Sequence, residues 1–233
     1  MKIDKAMILA AGTGTRMRPL TLETPKCLIK IHEQNLLEGA INLLIDHGVK
    51  EIVINVHYLA EKIKKFVLDK DYKVKIVFSE EKQELLDTGG GIFYGTKTFN
   101  NNPFIVLNPD TIWNNNYTQE LKLLEKFYFK SRITTLLLVD KNLSFDSTFK
   151  GDFSLDKKGS VKRNKNNQYI FTGLQILDRS VFNFKKNKIF SMNHVWDNLI
   201  NTNTLQGVKS DKNFYHINTK DMYDKIINLK TID

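Results

Sequence analysis

Leu9 to Thr21 reads LAAGTGTRMRPLT, an apolar run passing straight into a turn that carries Gly12, Gly14, Arg16 and Arg18. Residues of these types at this spacing suit the gripping of an anion. Gly12 and Gly14 have no Cβ, so the backbone can take conformations barred to other residues and bring its N–H groups close to a phosphate. Arg16 and Arg18 add permanent charge in a planar fork that matches phosphate oxygens. A tight strand-to-helix turn needs glycine for its own sake, so the loop alone does not decide the matter. Its company adds weight: Lys26 follows in TPKCL (24–28), a second glycine cluster stands in TGGGI (88–92), and IVLNPD (105–110) ends on Asp110. A strand-end carboxylate facing a phosphate loop is how hard Mg²⁺ is held, with substrate oxygens completing its shell. Asn-Pro-Asp is also a turn former in its own right.

Spacing excludes two common phosphate loops. There is no Gly-x₄-Gly-Lys-Ser/Thr run, and the third glycine of a dinucleotide fingerprint would fall on Met17.

The elements that must position these residues alternate. Residues 6–9, 51–55, 73–79, 104–107 and 133–139 are short apolar or alternating runs of strand length. Between them, 36–47, 59–68, 92–98 and 118–129 carry apolar residues at helical spacing. This pattern predicts an α/β fold with a mostly parallel sheet covered on both faces, and such sheets bind ligands beyond the carboxyl ends of their strands. The glycine–arginine loop, TGGGI and Asp110 all fall at such ends. After Val139 the pattern turns to short β pieces at 151–155, 160–163 and 170–176, then to helical stretches near 195–200 and 220–229. We expect one domain over 1–233.

LAAGTGTRMRPLT with TPK, TGGGI, Asn108-Pro109-Asp110, Gly151-Asp152-Phe153 and Phe171-Thr172-Gly173 resembles the sugar-1-phosphate nucleotidyltransferase family, and within it the short bacterial N-acetylmuramate-1-phosphate uridylyltransferases of cell-wall recycling. The likeness runs from about Lys5 to the C-terminus. It implies a Rossmann-like three-layer α/β/α fold with a mixed, mostly parallel sheet, in which about 1–139 forms a nucleotide-binding half and about 140–233 a sugar-phosphate-binding half. It also implies transfer of a nucleoside monophosphate, UMP from UTP, to a sugar 1-phosphate, with guanylyl or cytidylyl transfer as variants. Arg16, Lys26 and Asp110 then carry the catalysis. Leu9, Ala10, Ala11, Gly12, Gly14, Thr15, Arg16, Lys26, Glu80, Gly89 and Gly90 bind the nucleotide. Asn108, Gly151, Lys165, Thr172 and Gly173 bind the sugar phosphate. Without the likeness, Thr172-Gly173 reads equally as a β-bulge and the 162–165 lysines as an exposed hairpin.

The chain departs from the family at one place that bears on the metal. The family has an Asp-Val-Gly-Thr-like run whose aspartate is the second metal ligand; here the segment is Tyr215-His216-Ile217-Asn218-Thr219. His216 is therefore a candidate ligand beside Asp110 for Mg²⁺, or for Mn²⁺, which tolerates imidazole better. The alternatives are another carboxylate such as Asp197, a phosphate contact by His216, or a packed core histidine. A nucleotide-sugar-binding regulatory protein on the same fold is the reading that this departure leaves open.

Composition sets the outer bounds. At 233 residues and 41% apolar, the chain can bury a sizeable core. The net charge of +9 invites a nucleic-acid partner, yet the lysines are spread along the chain instead of forming one stripe interleaved with aromatics, and we expect none. The single cysteine, Cys27, excludes an internal disulfide and reads as a packing residue. With the apolar run 6–11 too short for a membrane span, the expectation is a cytoplasmic monomer or small homo-oligomer that engages no membrane.

Overall fold

The inner strands are near-continuous apolar runs whose successive side chains turn to opposite faces. In KAMIL, Ala6 and Ile8 enter one apolar cluster while Met7 enters another; Ile52 and Ile54 divide from Val53 in the same way, and Ile105 and Leu107 from Phe104 and Val106. The sheet is thus buried on both faces, as parallel sheets are. The structure, a computed structural model, describes residues 2–183 and 187–232. In chain order its elements are β1 (Lys5–Leu9), β2 (Lys30–Ile31), β3 (Gln34–Asn35), α1 (Leu36–His47), β4 (Glu51–Val56), α2 (Ala60–Asp69), β5 (Lys75–Glu80), α3 (Asp87–Gly95), β6 (Phe104–Leu107), α4 (Thr118–Ser131), β7 (Thr134–Asp140), β8 (Ser154–Leu155), β9 (Val161–Lys162), β10 (Tyr169–Leu177), α5 (Met192–Asn201), β11 (Leu205–Ser210) and α6 (Lys220–Ile227).

Seven strands make the central sheet in the order β11-β7-β10-β6-β1-β4-β5. Every neighbouring pair is parallel except those made by β10, which runs antiparallel to both β6 and β7. This is the mostly parallel, doubly covered sheet that the alternation of elements predicted, in the mixed α/β/α form that the family likeness implied. Residues of α1, α2 and α4 pack on one face, through Ile41, Leu44, Ile63, Val67, Leu121 and Leu124. Residues of α3 and α5 pack on the other, through Ile92, Val195 and Leu199. Full burial of each such aliphatic side chain is worth about 1.5–3 kcal/mol. Among the described residues no helix is long and apolar enough to cross a membrane.

Two elements differ from expectation. The helix predicted from residue 92 begins at Asp87, so TGGGI is its first turn and not a strand-end loop. Strand β11 escapes the sequence pattern because LQGVKS holds only two large apolar residues. Its pairing supplies what the sequence does not, since all six residues lie in parallel register with Thr134–Val139 of β7.

Candidate active site

Strands β1, β4, β5 and β6 are parallel neighbours, so Leu9, Val56, Glu80 and Leu107 end on the same edge of the sheet, and the chain leaving each must meet the others there. The turn after β1 is tied down at its first residue. Ala10 N–H donates to Asn55 Oδ1 at 2.8 Å, and Asn55 Nδ2 donates to Glu81 Oε1 at 2.7 Å. Glu81 Oε2 in turn accepts from Leu86 N at 2.8 Å, so one buried chain of bonds links β1, β4 and the approach to α3. Gly14 sits at φ +64, where a Cβ would also come within 3.0 Å of Thr21 and 3.1 Å of Lys26; only glycine fits both the conformation and the space. Its carbonyl accepts from Met17 N and Thr21 Oγ1. At Gly12, by contrast, a Cβ would meet nothing within 4 Å. The space in front of Gly12 is open, as a ligand-facing turn requires.

A cavity of about 280 Å³ opens between this turn and the end of β6. Leu9, Ala10, Gly12, Gly14, Thr15, Arg16, Lys26 and Asp110 all line it, so most of the residues expected at the phosphates converge there. Ala11 is buried but is not part of the wall, and Arg18 lies off it. Thr13, Met17, Cys27, Pro109 and Asn218 complete the lining.

Lys26 Nζ lies 2.7 Å from Asp110 Oδ2, and His216 Nε2 lies 3.1 Å from the same oxygen. Burial disfavours the ionised Asp110 carboxylate, but the Lys26 ammonium and the His216 imidazole outweigh it and hold the carboxyl well below the usual carboxylate range. Asp110 Oδ1 is shielded from solvent and has no hydrogen-bond partner among the described residues. An ionised oxygen left in that state fits a cation of the Mg²⁺ class. The strand-like segment 215–217 delivers His216: Ile112 N donates to Tyr215 O, Ile217 N donates to Asp110 O, and the imidazole packs against Phe214 and Phe149 at ring-centre distances of 5.9 and 5.8 Å. Among the described residues no three His, Cys, Asp or Glu side chains form a metal cluster. Asp197, the other carboxylate considered, is on α5 and pairs with Arg163 at 3.4 Å, so it does not join Asp110. Cys27 is buried and its thiol is pushed up to about 12 by burial, which leaves it inert.

Several other expected residues lie elsewhere. Glu80 does not line the cavity; it is ion-paired with Lys64 at 2.8 Å and Lys82 at 3.4 Å. The carboxylate built into the loop's support is its buried neighbour Glu81, which sequence reasoning missed because it stands just beyond the end of β5, bonded through its N–H to Val56 O. Gly89 and Gly90 have a packing reason: a Cβ would come within 2.5 Å of the Phe190 ring and 2.4 Å of Lys188 O respectively, and Gly90 N donates to Phe190 O. Gly151, at φ +82, backs onto Asn167 O. Lys165 lines a separate depression with Lys141 and Lys150. Thr172 and Gly173 form the β-bulge of the alternative reading: the register of β10 on β7 shifts between Phe171 and Gln175. Thr172 Oγ1 is spent on Leu137 O at 3.0 Å, and Gly173 packs against Asn108.

A family model described as nucleotidyl transferase matches residues 5–223. The chain is 28% identical over 221 residues to an N-acetylmuramate alpha-1-phosphate uridylyltransferase of Caulobacter vibrioides, covering 91% of this chain and 90% of that one. It is 34% identical over 181 residues to the protein of that name from Neisseria meningitidis serogroup B, covering 76% and 77%. The fold is shared with HddC from Yersinia pseudotuberculosis complexed with GMP-PN, at a TM-score of 0.78 and 24% identity over 97% of this chain and 98% of that one.

Proposed function

The chain belongs to the nucleotidyl transferase family, and from that premise we propose that it transfers UMP from UTP to a sugar 1-phosphate such as N-acetylmuramate 1-phosphate, releasing pyrophosphate. The observation that carries this reading is the convergence of the Gly12–Arg16 turn, Lys26 and Asp110 on one cavity. The choice of uridine and of an N-acetylmuramate acceptor is supported by the two bacterial uridylyltransferases that match most of the chain.

Few protein groups are needed for the chemistry. A phosphate monoester has a second pKa of about 6, so the attacking oxygen of a sugar 1-phosphate is already ionised at neutral pH and no general base is required. The barrier lies in bringing that dianion to a triphosphate and in the charge that builds on the departing pyrophosphate. Arg16 lines the cavity with no ion pair to another described residue, which leaves its guanidinium available for phosphate. Lys26 neutralises the same region while its bond to Asp110 fixes its reach. Backbone N–H groups of the Gly12–Gly14 turn orient the phosphates. Mg²⁺ or Mn²⁺, held through Asp110, would supply further positive charge on the phosphate oxygens.

Pyrophosphate release measured with UTP, GTP, CTP and dTTP against a panel of sugar 1-phosphates tests the reading. UTP with N-acetylmuramate 1-phosphate should be fastest. Preference for GTP would move the assignment to a mannose- or heptose-1-phosphate guanylyltransferase. Nucleotide binding without release for any pair would favour a regulatory binder.

A further inference from the structure

Three polar atoms of the site are shielded from solvent and have no hydrogen-bond partner among the described residues: Asp110 Oδ1, His216 Nδ1 and Asn218 Oδ1. Native proteins leave few such atoms, because each unpaired one costs about 1–3 kcal/mol or more if charged. Asp110 and Asn218 line one cavity, while His216 meets Asp110 from outside its wall, so a ligand in that cavity can satisfy the first two together.

Asp110 Oδ2 is already used twice, by Lys26 at 2.7 Å and by His216 at 3.1 Å. A His216 Nε2 that donates its hydrogen to a carboxylate has no lone pair to offer a metal. To ligate through Nε2, the imidazole would have to give up Asp110; Nδ1, which keeps the lone pair, belongs to a ring packed on Phe214 and Phe149 that does not line the cavity. Asn218 has no such competing bond at its oxygen. It stands two residues along the same extended segment, on the face shared with His216, while Ile217 between them is buried in the opposite direction. It lines the cavity with Asp110. Burial pushes the Asp146 carboxyl up, but Thr148 N at 3.0 Å, Thr148 Oγ1 at 2.6 Å and the Asn218 amide outweigh it and hold it below the ordinary value; an amide favours a carboxylate only through its nitrogen. With the nitrogen end committed, the oxygen is the free end; the flipped amide would set oxygen against carboxylate. An amide oxygen is a hard donor of the kind that Mg²⁺ and Mn²⁺ accept, which an imidazole is not for Mg²⁺.

We infer that Asn218, through Oδ1, is the second protein ligand of the divalent cation at Asp110, and that His216 is a positioning residue that holds Oδ2 so that Oδ1 is presented to the ion. The inference rests on the reading of this cavity as a nucleotidyl-transfer site. Asp146 orients Asn218 in the same sense that His216 orients Asp110.

Mn²⁺ binding, followed by electron paramagnetic resonance on the protein alone and again with UTP, tests this without turnover. Asn218→Ala should weaken Mn²⁺ about tenfold and Asp146→Ala by a similar factor, while Asn218→Asp should bind at least as tightly as the parent. The electron spin-echo spectrum of the parent should carry no coupling from a directly bound imidazole nitrogen. Unchanged affinity in Asn218→Ala, an imidazole coupling that His216→Ala removes, or no Mn²⁺ binding by the parent in either condition would each overturn the assignment. Should the affinity pattern hold while no nucleotide and sugar phosphate turn over, the ligand assignment stands and the proposed reaction falls.

Discussion

Replacing Asn55 by alanine should both destabilise the protein and loosen its hold on nucleotide. Asn55 is 3% exposed and Glu81 4%. The substitution removes an acceptor from Ala10 N–H and a donor from Glu81 Oε1, leaving a neutral and a charged partner buried without their bonds. An unpaired buried neutral group costs about 1–3 kcal/mol and a bond to a charged group is worth about 1.5–3, so the sum is roughly 2.5–6 kcal/mol. For a chain of this size each kcal/mol lowers Tm by about 2–4 °C, and a fall of about 5 °C or more is expected by calorimetry. Because Ala10 begins the glycine turn, the free loop should also sample other conformations, which raises the KM for nucleotide more than it lowers kcat. Gly91 lies directly against this pair, since a Cβ there would come within 2.9 Å of both Asn55 Nδ2 and Glu81 Oε1, so it has no side chain to offer as a substitute. A Tm change under about 2 °C together with an unchanged KM would refute the view that this buried chain of bonds holds the loop.

Lys26→Ala and Arg16→Ala should each lower kcat about a hundredfold, corresponding to about 3 kcal/mol of lost transition-state stabilisation; a variant that only raised KM would instead mark a residue that binds ground and transition states alike. Glu120 is buried, with Oε1 accepting from Ser210 Oγ and Oε2 without a partner, and burial raises its pKa above the ordinary glutamate value. A raised folded pKa means that its contribution to stability is present at low pH and is lost as pH rises through that value, so Glu120→Gln should raise Tm at pH 8 relative to the parent and do so less at pH 4. The Cys27 thiol, pushed up to about 12 and buried, should resist iodoacetamide at pH 8 until the protein is denatured; labelling of the folded protein at the rate of a free thiol would contradict its packing role.

What the sequence determined alone was whatever depends on neighbours in the chain. The apolar runs of KAMIL and EIVINV specify strands buried on both faces, and the glycine turn after Leu9 carries its own conformational requirement at Gly14. Parallel strands then send the loop and Asp110 to one edge, so their convergence was legible before any contact was known, whereas TGGGI, expected at the same place, lies within α3 and off the cavity. Local pattern failed where the partner is distant. Asn55 meets Ala10 across 45 residues and Glu81 across 26, and nothing in an apolar run marks its one asparagine as a brace. The choice of Glu81 over Glu80 turns on where β5 ends: Glu80 is its last residue and pairs with Lys64, while Glu81, just beyond it and bonded through its N–H to Val56 O, is the one that turns inward. Gly89 and Gly90 of TGGGI are set by the close approach of residues 188–190, about a hundred positions further on, and β11 exists because β7 offers it an open edge. Tertiary structure alone placed Asn218 beside Asp110 and engaged His216 with the Asp110 oxygen, because only the register of 215–217 against 110–112 decides which side chain reaches the carboxylate and which atom is left free.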